Sequence, residues 1–254
     1  MQIHKFLDGS KPVMVLIHGV LTPWQIWTPQ ITAFKERYNI YAVALSAHTE
    51  ENASEFVSLS AEINDIIEYF RENNIHTIDV LCGISFGGKI SFEIWKSGRL
   101  DIRSLVMDGA PLLSCPKFAV NIMVNNYKNI IRKSKARDAK VIESFKKSFL
   151  PEKYLGSYLK IADNMTENSV ENIINSAFSE SITAGADDRT KILFIHGTKG
   201  NEVISKKSAK LVKSQYPSST EIVCFKGDTH CYKMIYEPQK WIETVQEFLE
   251  SVSM

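Results

Sequence analysis

Val13 to Ile17 is a nearly unbroken apolar run, the pattern of a strand covered on both faces in a parallel sheet. Ile40 to Leu45, Thr77 to Cys82, Leu105 to Met107, Ile192 to Ile195 and Ile222 to Phe225 repeat it. Between these runs lie stripes at helical spacing. Trp24, Trp27, Ile31 and Phe34 form one, and Leu59, Ile63, Ile66, Ile67 and Phe70 a second. Near the end, Trp241, Val245, Phe248, Leu249 and Val252 form a third. The aromatic members read as core rather than as ligand contacts. This alternation predicts the α/β class: a mostly parallel central sheet with helices on both faces.

The alternation breaks once. From about Pro111 to Arg189 no strand pattern stands out, whereas Val120, Met123, Tyr127, Ile130 and Ile131 fall at helical spacing. The reading is a core made of residues 1–110 and 190–254, with 111–189 inserted as a helical segment. Ligands of open α/β sheets bind at the carboxyl ends of the strands, so such an insertion would roof the site.

Composition narrows the options. A chain of 254 residues that is 44% hydrophobic can bury a large core, and it suits one domain with an insertion better than two full domains. A formal net charge of +1 gives no global pull toward nucleic acid or a membrane surface. Met1-Gln2-Ile3-His4-Lys5 lacks the basic n-region and apolar h-region of a secretory signal. No apolar run approaches the roughly 20 residues of a membrane span. Cys82, Cys115, Cys224 and Cys231 show no C-x-x-C pairing, so free thiols in a reducing cytoplasm are the simplest expectation.

The strongest chemical signal is Gly83-Ile84-Ser85-Phe86-Gly87, followed by Gly88. It lies directly after the strand Ile78-Asp79-Val80-Leu81 and directly before the helical pattern Ile90 to Trp95. A serine on so sharp a strand-to-helix turn presents its hydroxyl above the sheet and needs small residues on either side. The helix that starts there aims free backbone N–H groups at the site. A second signal, Ile17-His18-Gly19-Val20, ends the first long strand. There the N–H of Val20, with that of Phe86, would form an oxyanion hole, while His18 is expected to be held structurally in the turn.

A serine alcohol needs an adjacent base, for which imidazole has the right intrinsic pKa. Of the six histidines, His230, in Gly227-Asp228-Thr229-His230-Cys231, alone sits in a loop beyond the carboxyl end of a late strand. His196 reads as a polar cap on the sheet. The spacing of Asp228, His230 and Cys231 matches no standard metal-ligand motif.

With these residues in view, the chain resembles the α/β-hydrolase superfamily, the closest likeness being to small bacterial esterases with a helical cap. In that family's numbering the insertion follows the sixth strand. The resemblance implies Ser85 as nucleophile, His230 as base, and Val20 and Phe86 as oxyanion donors. Two stretches depart from it. Such proteins commonly carry Asp-x-x-Gly-x-Gly-x-Ser where this chain reads Ala44-Leu45-Ser46-Ala47-His48-Thr49, and His48 is expected to be structural or to line the pocket. The usual place of the triad acid, in Gly-x-x-Asp-x-x-Val, is Gly200 within Gly197-Thr198-Lys199-Gly200-Asn201-Glu202-Val203. Asp108, at the end of Leu105-Val106-Met107, stands at the family's other known acid position and ranks first. Glu202, two residues past the vacant site, ranks second, and a dyad without an acid is the third option.

The expected activity is acyl transfer to water on a small carboxylic ester, thioester or lactone, a carbon–carbon bond flanked by ketones being a further option. It calls for no metal and no organic cofactor. The insertion carries Lys128, Arg132, Lys133, Lys135, Arg137, Lys140, Lys146 and Lys147. A solvated helix face is the plainer reading, and a docking surface for an acidic acyl carrier the sharper one. The vacant acid position also keeps open a protein that binds a small molecule without turning it over.

Overall fold

The structure is a computed structural model that describes residues 1–179 and 189–252. Residues 180–188 of the expected insertion lie outside the described residues. Seven strands form one sheet: β1 (Gln2–Phe6), β2 (Val13–Ile17), β3 (Asn39–Ala44), β4 (Thr77–Ile84), β5 (Asp101–Asp108), β6 (Lys191–His196) and β7 (Thr220–Cys224). Their spatial order is β1-β3-β2-β4-β5-β6-β7, and only β1 runs antiparallel to its neighbour.

Six of these strands are the predicted apolar runs, β2 with the same ends and the other five with shifted ones. The run expected at Leu105–Met107 extends back to Asp101, because Arg103 points outward near the strand's start and interrupts the apolar pattern. Strand β1 was not expected. It is an edge strand of only partly buried and exposed residues, and so shows no apolar run to read.

The core helices are α1 (Thr28–Phe34), α2 (Leu59–Glu72), α3 (Phe86–Lys96), α8 (Glu202–Gln215), α9 (Tyr232–Tyr236) and α10 (Pro238–Val252). Handedness decides their faces. The connection from β2 to β3 through α1 moves one way across the sheet. Those through α2, α3 and α8 move the other way, so right-handed crossovers put them on the opposite face. Helix α10 packs on α1, where Trp27 meets Trp241 edge-on at 5.7 Å between ring centroids.

The strand order therefore reverses between β2 and β4, and their carboxyl ends lie side by side with Ile17 opposite Gly83. This reversal point is where an open α/β sheet offers a crevice to a ligand. Between β5 and β6 come α4 (Lys117–Lys135), α5 (Ala139–Ser148), α6 (Leu155–Asn164) and α7 (Glu167–Ala177), the helices expected in the insertion. The chain returns to the sheet at Thr190, whose hydroxyl accepts from the Trp95 indole N–H at 2.8 Å and donates to the Ile102 carbonyl at 2.6 Å.

Helix α3 carries a fully buried ion pair one turn beyond the sheet, Lys89 Nζ to Glu93 Oε1 at 3.3 Å. Lys89 also donates to the Ser179 carbonyl at 3.1 Å, tying α3 to the segment that follows α7. Lys89→Ala removes this buried pair and the bond to Ser179 together, so it should cost about 3–5 kcal/mol in urea unfolding. A loss below about 1 kcal/mol would mean that the pair contributes little to the stability of the fold.

Candidate active site

Ser85 follows β4 and caps α3 with φ 51° and ψ −119°, a conformation that side chains beyond glycine rarely adopt. The turn is fixed from below by its own N–H, which donates to the Asp108 carbonyl at 2.7 Å. The flanking glycines are a steric requirement. A Cβ on Gly83 would sit 2.3 Å from the Gly87 carbonyl oxygen, and one on Gly87 would sit 2.2 Å from the Ile17 carbonyl oxygen. Gly88 is pressed against Ala110 in the same way, at 2.7 Å from its Cβ. The crowding expected from sequence at Gly83 and Gly87 is thus present in the backbone.

His230 lies in the loop after β7, with Nε2 2.9 Å from Ser85 Oγ. Its Nδ1 hydrogen-bonds Glu202 Oε1. With Nδ1 as donor, Nε2 is free to accept the serine hydroxyl proton. Glu202 opens α8, and its side chain is fully buried while the imidazole is 27% exposed. The other carboxylate oxygen, Oε2, accepts the Gly197 N–H at 2.8 Å. The acid is therefore held at both oxygens.

The carboxylate on Nδ1 is Glu202, whereas the sequence ranking put Asp108 first. Gly200, at φ 67°, turns the chain so that a longer side chain two residues on reaches back over Gly197. Asp108 contributes its backbone instead: its carbonyl accepts the Ser85 N–H, and the Cys231 thiol lies 3.5 Å from it. Burial pushes the Asp108 carboxyl well above the ordinary carboxylate range, and the nearby Glu202 charge adds to this. A neutral carboxylic acid cannot stabilise an imidazolium as an ionised one does. Asp228 is occupied elsewhere, 3.4 Å from Lys233 Nζ.

Val20 and Phe86 both line a cavity of about 450 Å³ that opens in front of Ser85. The Phe86 N–H stands in the first turn of α3, where a backbone donor has no intrahelical acceptor. The far wall comes from the helices between β5 and β6 and their links: Met123, Tyr127, Phe149, Ile174, Ala177 and Phe178. Among the described residues that line it, none is Asp, Glu, Lys or Arg. Sequence reading placed Met123 and Tyr127 on a helical stripe, but nothing in that stripe distinguishes a residue facing a cavity from one facing the core.

Three of the other histidines have structural partners. His18 and His48 are buried against each other with ring centroids 4.8 Å apart. His196 lies at the end of β6 with Nδ1 2.6 Å from the Gly197 carbonyl, as a polar cap on the sheet would. Four of the eight basic residues named on the insertion are ion-paired. Lys128 pairs with Glu171 at 2.5 Å, Arg132 with Glu167 at 2.6 Å, Arg137 with Asp163 at 2.7 Å and Lys146 with Glu152 at 2.6 Å. Helices α6 and α7 supply Asp163, Glu167 and Glu171, so folding brings acids onto the face that reads as basic along the chain.

The chain has the α/β-hydrolase fold. It superimposes on an alpha/beta hydrolase family protein from Desulfitobacterium hafniense with a TM-score of 0.77 at 19% identity, covering 98% of this chain and 100% of the other. Its TM-score against the esterase EaEST from Exiguobacterium antarcticum is 0.73 at 17% identity, with 98% and 94% covered. No protein-family profile matches the sequence. Among curated proteins, it is 30% identical over 92 residues to (E)-2-((N-methylformamido)methylene)succinate hydrolase of Acinetobacter baylyi, 35% of this chain. It is also 30% identical over 93 residues to Epoxide hydrolase 4 of Mus musculus, 34% of this chain. The matched stretches span 34% and 25% of the length of those two relatives.

The buried Asp108 carboxyl makes a prediction about stability. Its folded-state pKa is raised above the ordinary 3.8, so the folded protein keeps a proton that the unfolded chain loses as pH rises past about 3.8. Asp108 thus destabilises the fold increasingly above that pH. Asp108→Asn should be more stable than the native protein in urea at pH 7, and the gain should fade by about pH 4. An equal or lower stability at pH 7 would show that the carboxyl is ionised and held by partners.

Proposed function

We propose that this protein is a serine hydrolase that cleaves small, uncharged carboxylic esters by acyl transfer. In this reading Ser85 is the nucleophile, His230 the general base and Glu202 the triad acid. The backbone N–H groups of Val20 and Phe86 are the oxyanion donors. The observation that carries it is the hydrogen-bond chain Glu202–His230–Ser85 ending in a cavity lined without Asp, Glu, Lys or Arg among the described residues. The esterase among the proteins of like fold adds support.

The steps follow from the geometry. Ser85 Oγ gives its proton to His230 Nε2 as Oγ attacks the ester carbonyl carbon. The carbonyl oxygen takes the negative charge and is met by the two N–H groups. Glu202 holds the imidazole in its Nδ1–H form and stabilises the imidazolium. Nε2 then protonates the leaving alkoxide. Water repeats the sequence on the acyl-enzyme, its proton going to Nε2, and releases the acid and free Ser85. Every proton moves through His230, so the reaction calls on no metal or organic cofactor.

An apolar cavity of this size suits a short to medium acyl group, and desolvating an unpaired carboxylate there would be costly. The helices between β5 and β6 act as a cap that screens the reacting groups from bulk solvent while leaving room for the water that hydrolyses the acyl-enzyme. Four free cysteines fit a reducing compartment such as the cytoplasm.

Ser85→Ala should abolish hydrolysis of p-nitrophenyl butyrate and labelling by a fluorophosphonate, with an unchanged circular dichroism spectrum. Retention of most of the rate would remove Ser85 from the mechanism.

The acids separate by kinetics. Glu202→Gln should lower kcat by several powers of ten, up to ~10⁴, since it removes the charge that supports the imidazolium. Asp108→Asn should change kcat by less than about tenfold, because the His230 ring bonds Glu202 and Ser85 and not the Asp108 carboxyl. The reverse order would make Asp108 the working acid. Small effects from both would leave a Ser–His dyad.

A further inference from the structure

The Val20 loop leaves the sheet at the end of β2, and two imidazoles hold it. His18 Nδ1 lies 2.8 Å from the Gly19 carbonyl, and its Nε2 accepts the Leu45 N–H at 3.1 Å. His48 Nε2 accepts the Leu21 N–H at 3.0 Å, and its Nδ1 lies 3.2 Å from the Ser46 carbonyl. Each ring donates through Nδ1 and accepts through Nε2, so each is neutral. Burial favours that state, pushing His48 down to about 4 and His18 well below the usual imidazole value.

These bonds grip the two peptide groups on either side of Val20. A peptide group is planar and trans, so its C=O and N–H point in opposite directions. The Gly19 carbonyl is turned toward His18 and also accepts from the Thr22 hydroxyl at 2.9 Å. The Val20 N–H of the same peptide then faces the other way. On the far side of Val20, Leu21 is in the left-handed region at φ 57°, a strained conformation for a non-glycine residue. His48 holds the N–H of that strained residue. The two rings lie 4.8 Å apart and join the Val20 loop to the β3–α2 connection.

We propose that His48 is a positioning residue for acyl transfer: its neutral imidazole, accepting the Leu21 N–H, fixes the peptide after Val20 and so keeps the Val20 N–H aimed at the oxyanion. This rests on the functional reading above. His48 does not line the cavity. Its loss therefore acts on the transition state, where the oxyanion forms, more than on substrate binding.

The test compares His48→Leu, which removes the acceptor, with His48→Gln, whose amide oxygen restores one. On p-nitrophenyl butyrate, His48→Leu should lower kcat about ten- to a hundredfold, somewhat less than losing an oxyanion donor outright, with KM within about threefold. Inhibition by a trifluoromethyl ketone, which forms a tetrahedral oxyanion, should weaken by a similar factor, and His48→Gln should recover most of both. An unchanged kcat, or a loss that glutamine does not recover at matched stability, would overturn the proposal. Amide hydrogen exchange of Leu21 in the native protein needs no variant and covers the case in which His48→Leu does not fold. Slow exchange supports the clamp, and exchange as fast as an exposed loop amide overturns it. A native protein that hydrolyses no ester and takes no fluorophosphonate would instead refute the functional reading. The Leu21 exchange rate would then judge the clamp alone.

Discussion

Beneath the site, the Cα of Gly87 lies so close to the end of β2 that a methyl group there would sit 2.2 Å from the Ile17 carbonyl oxygen. That contact sets the distance between the turn carrying Ser85 and the loop carrying Val20. It is possible only because neighbouring parallel strands end at the same level, with Ile17 opposite Gly83, and because the intervening residues lack side chains. Gly19 meets the same limit from the other loop, its Cβ position lying 3.1 Å from the Cβ of Ser85. Ser85 and Val20, more than sixty residues apart in sequence, are thus brought together by backbone packing, before any side chain of the site takes part.

Electrostatics then divides the work among groups of similar chemistry. Two carboxyl groups lie near His230, and their surroundings separate them. Glu202 is held at both oxygens, by the imidazole and by the Gly197 N–H, and so suits a charge. Asp108 is buried, with no hydrogen bond to its Oδ2 among the described residues, and burial favours its neutral form. The histidines divide likewise. His230 keeps an exposed edge and a carboxylate partner, whereas His18 and His48 are enclosed and use backbone partners only. Identical side chains thus take different partners according to what surrounds them.

Much of the architecture was legible in the sequence. The apolar runs at residues 13–17 and 192–195 mark buried parallel strands because both faces of such strands must be apolar. The elbow at 83–87 was legible because its glycines answer a local steric demand. The edge strand β1 was hidden because a half-solvated strand needs no apolar run. The ion-paired surface of the insertion was also hidden, since Arg132 and Glu167 are far apart in sequence and meet only when α4 packs on α7.

The sequence by itself determined the fold class, the serine turn, the histidine beyond the last strand and the vacancy at Gly200. Each of these depends on a residue and its near neighbours along the chain. Only the tertiary structure decided which carboxyl meets His230, which helices face the cavity, and what His48 holds. Those are questions of direction and distance between elements remote in sequence. Glu202 and Asp108 are both acids near strand ends, and composition alone cannot separate them. The turn at Gly200 and the burial at Asp108 can, because they fix where each carboxyl lies and whether a charge is tolerated there.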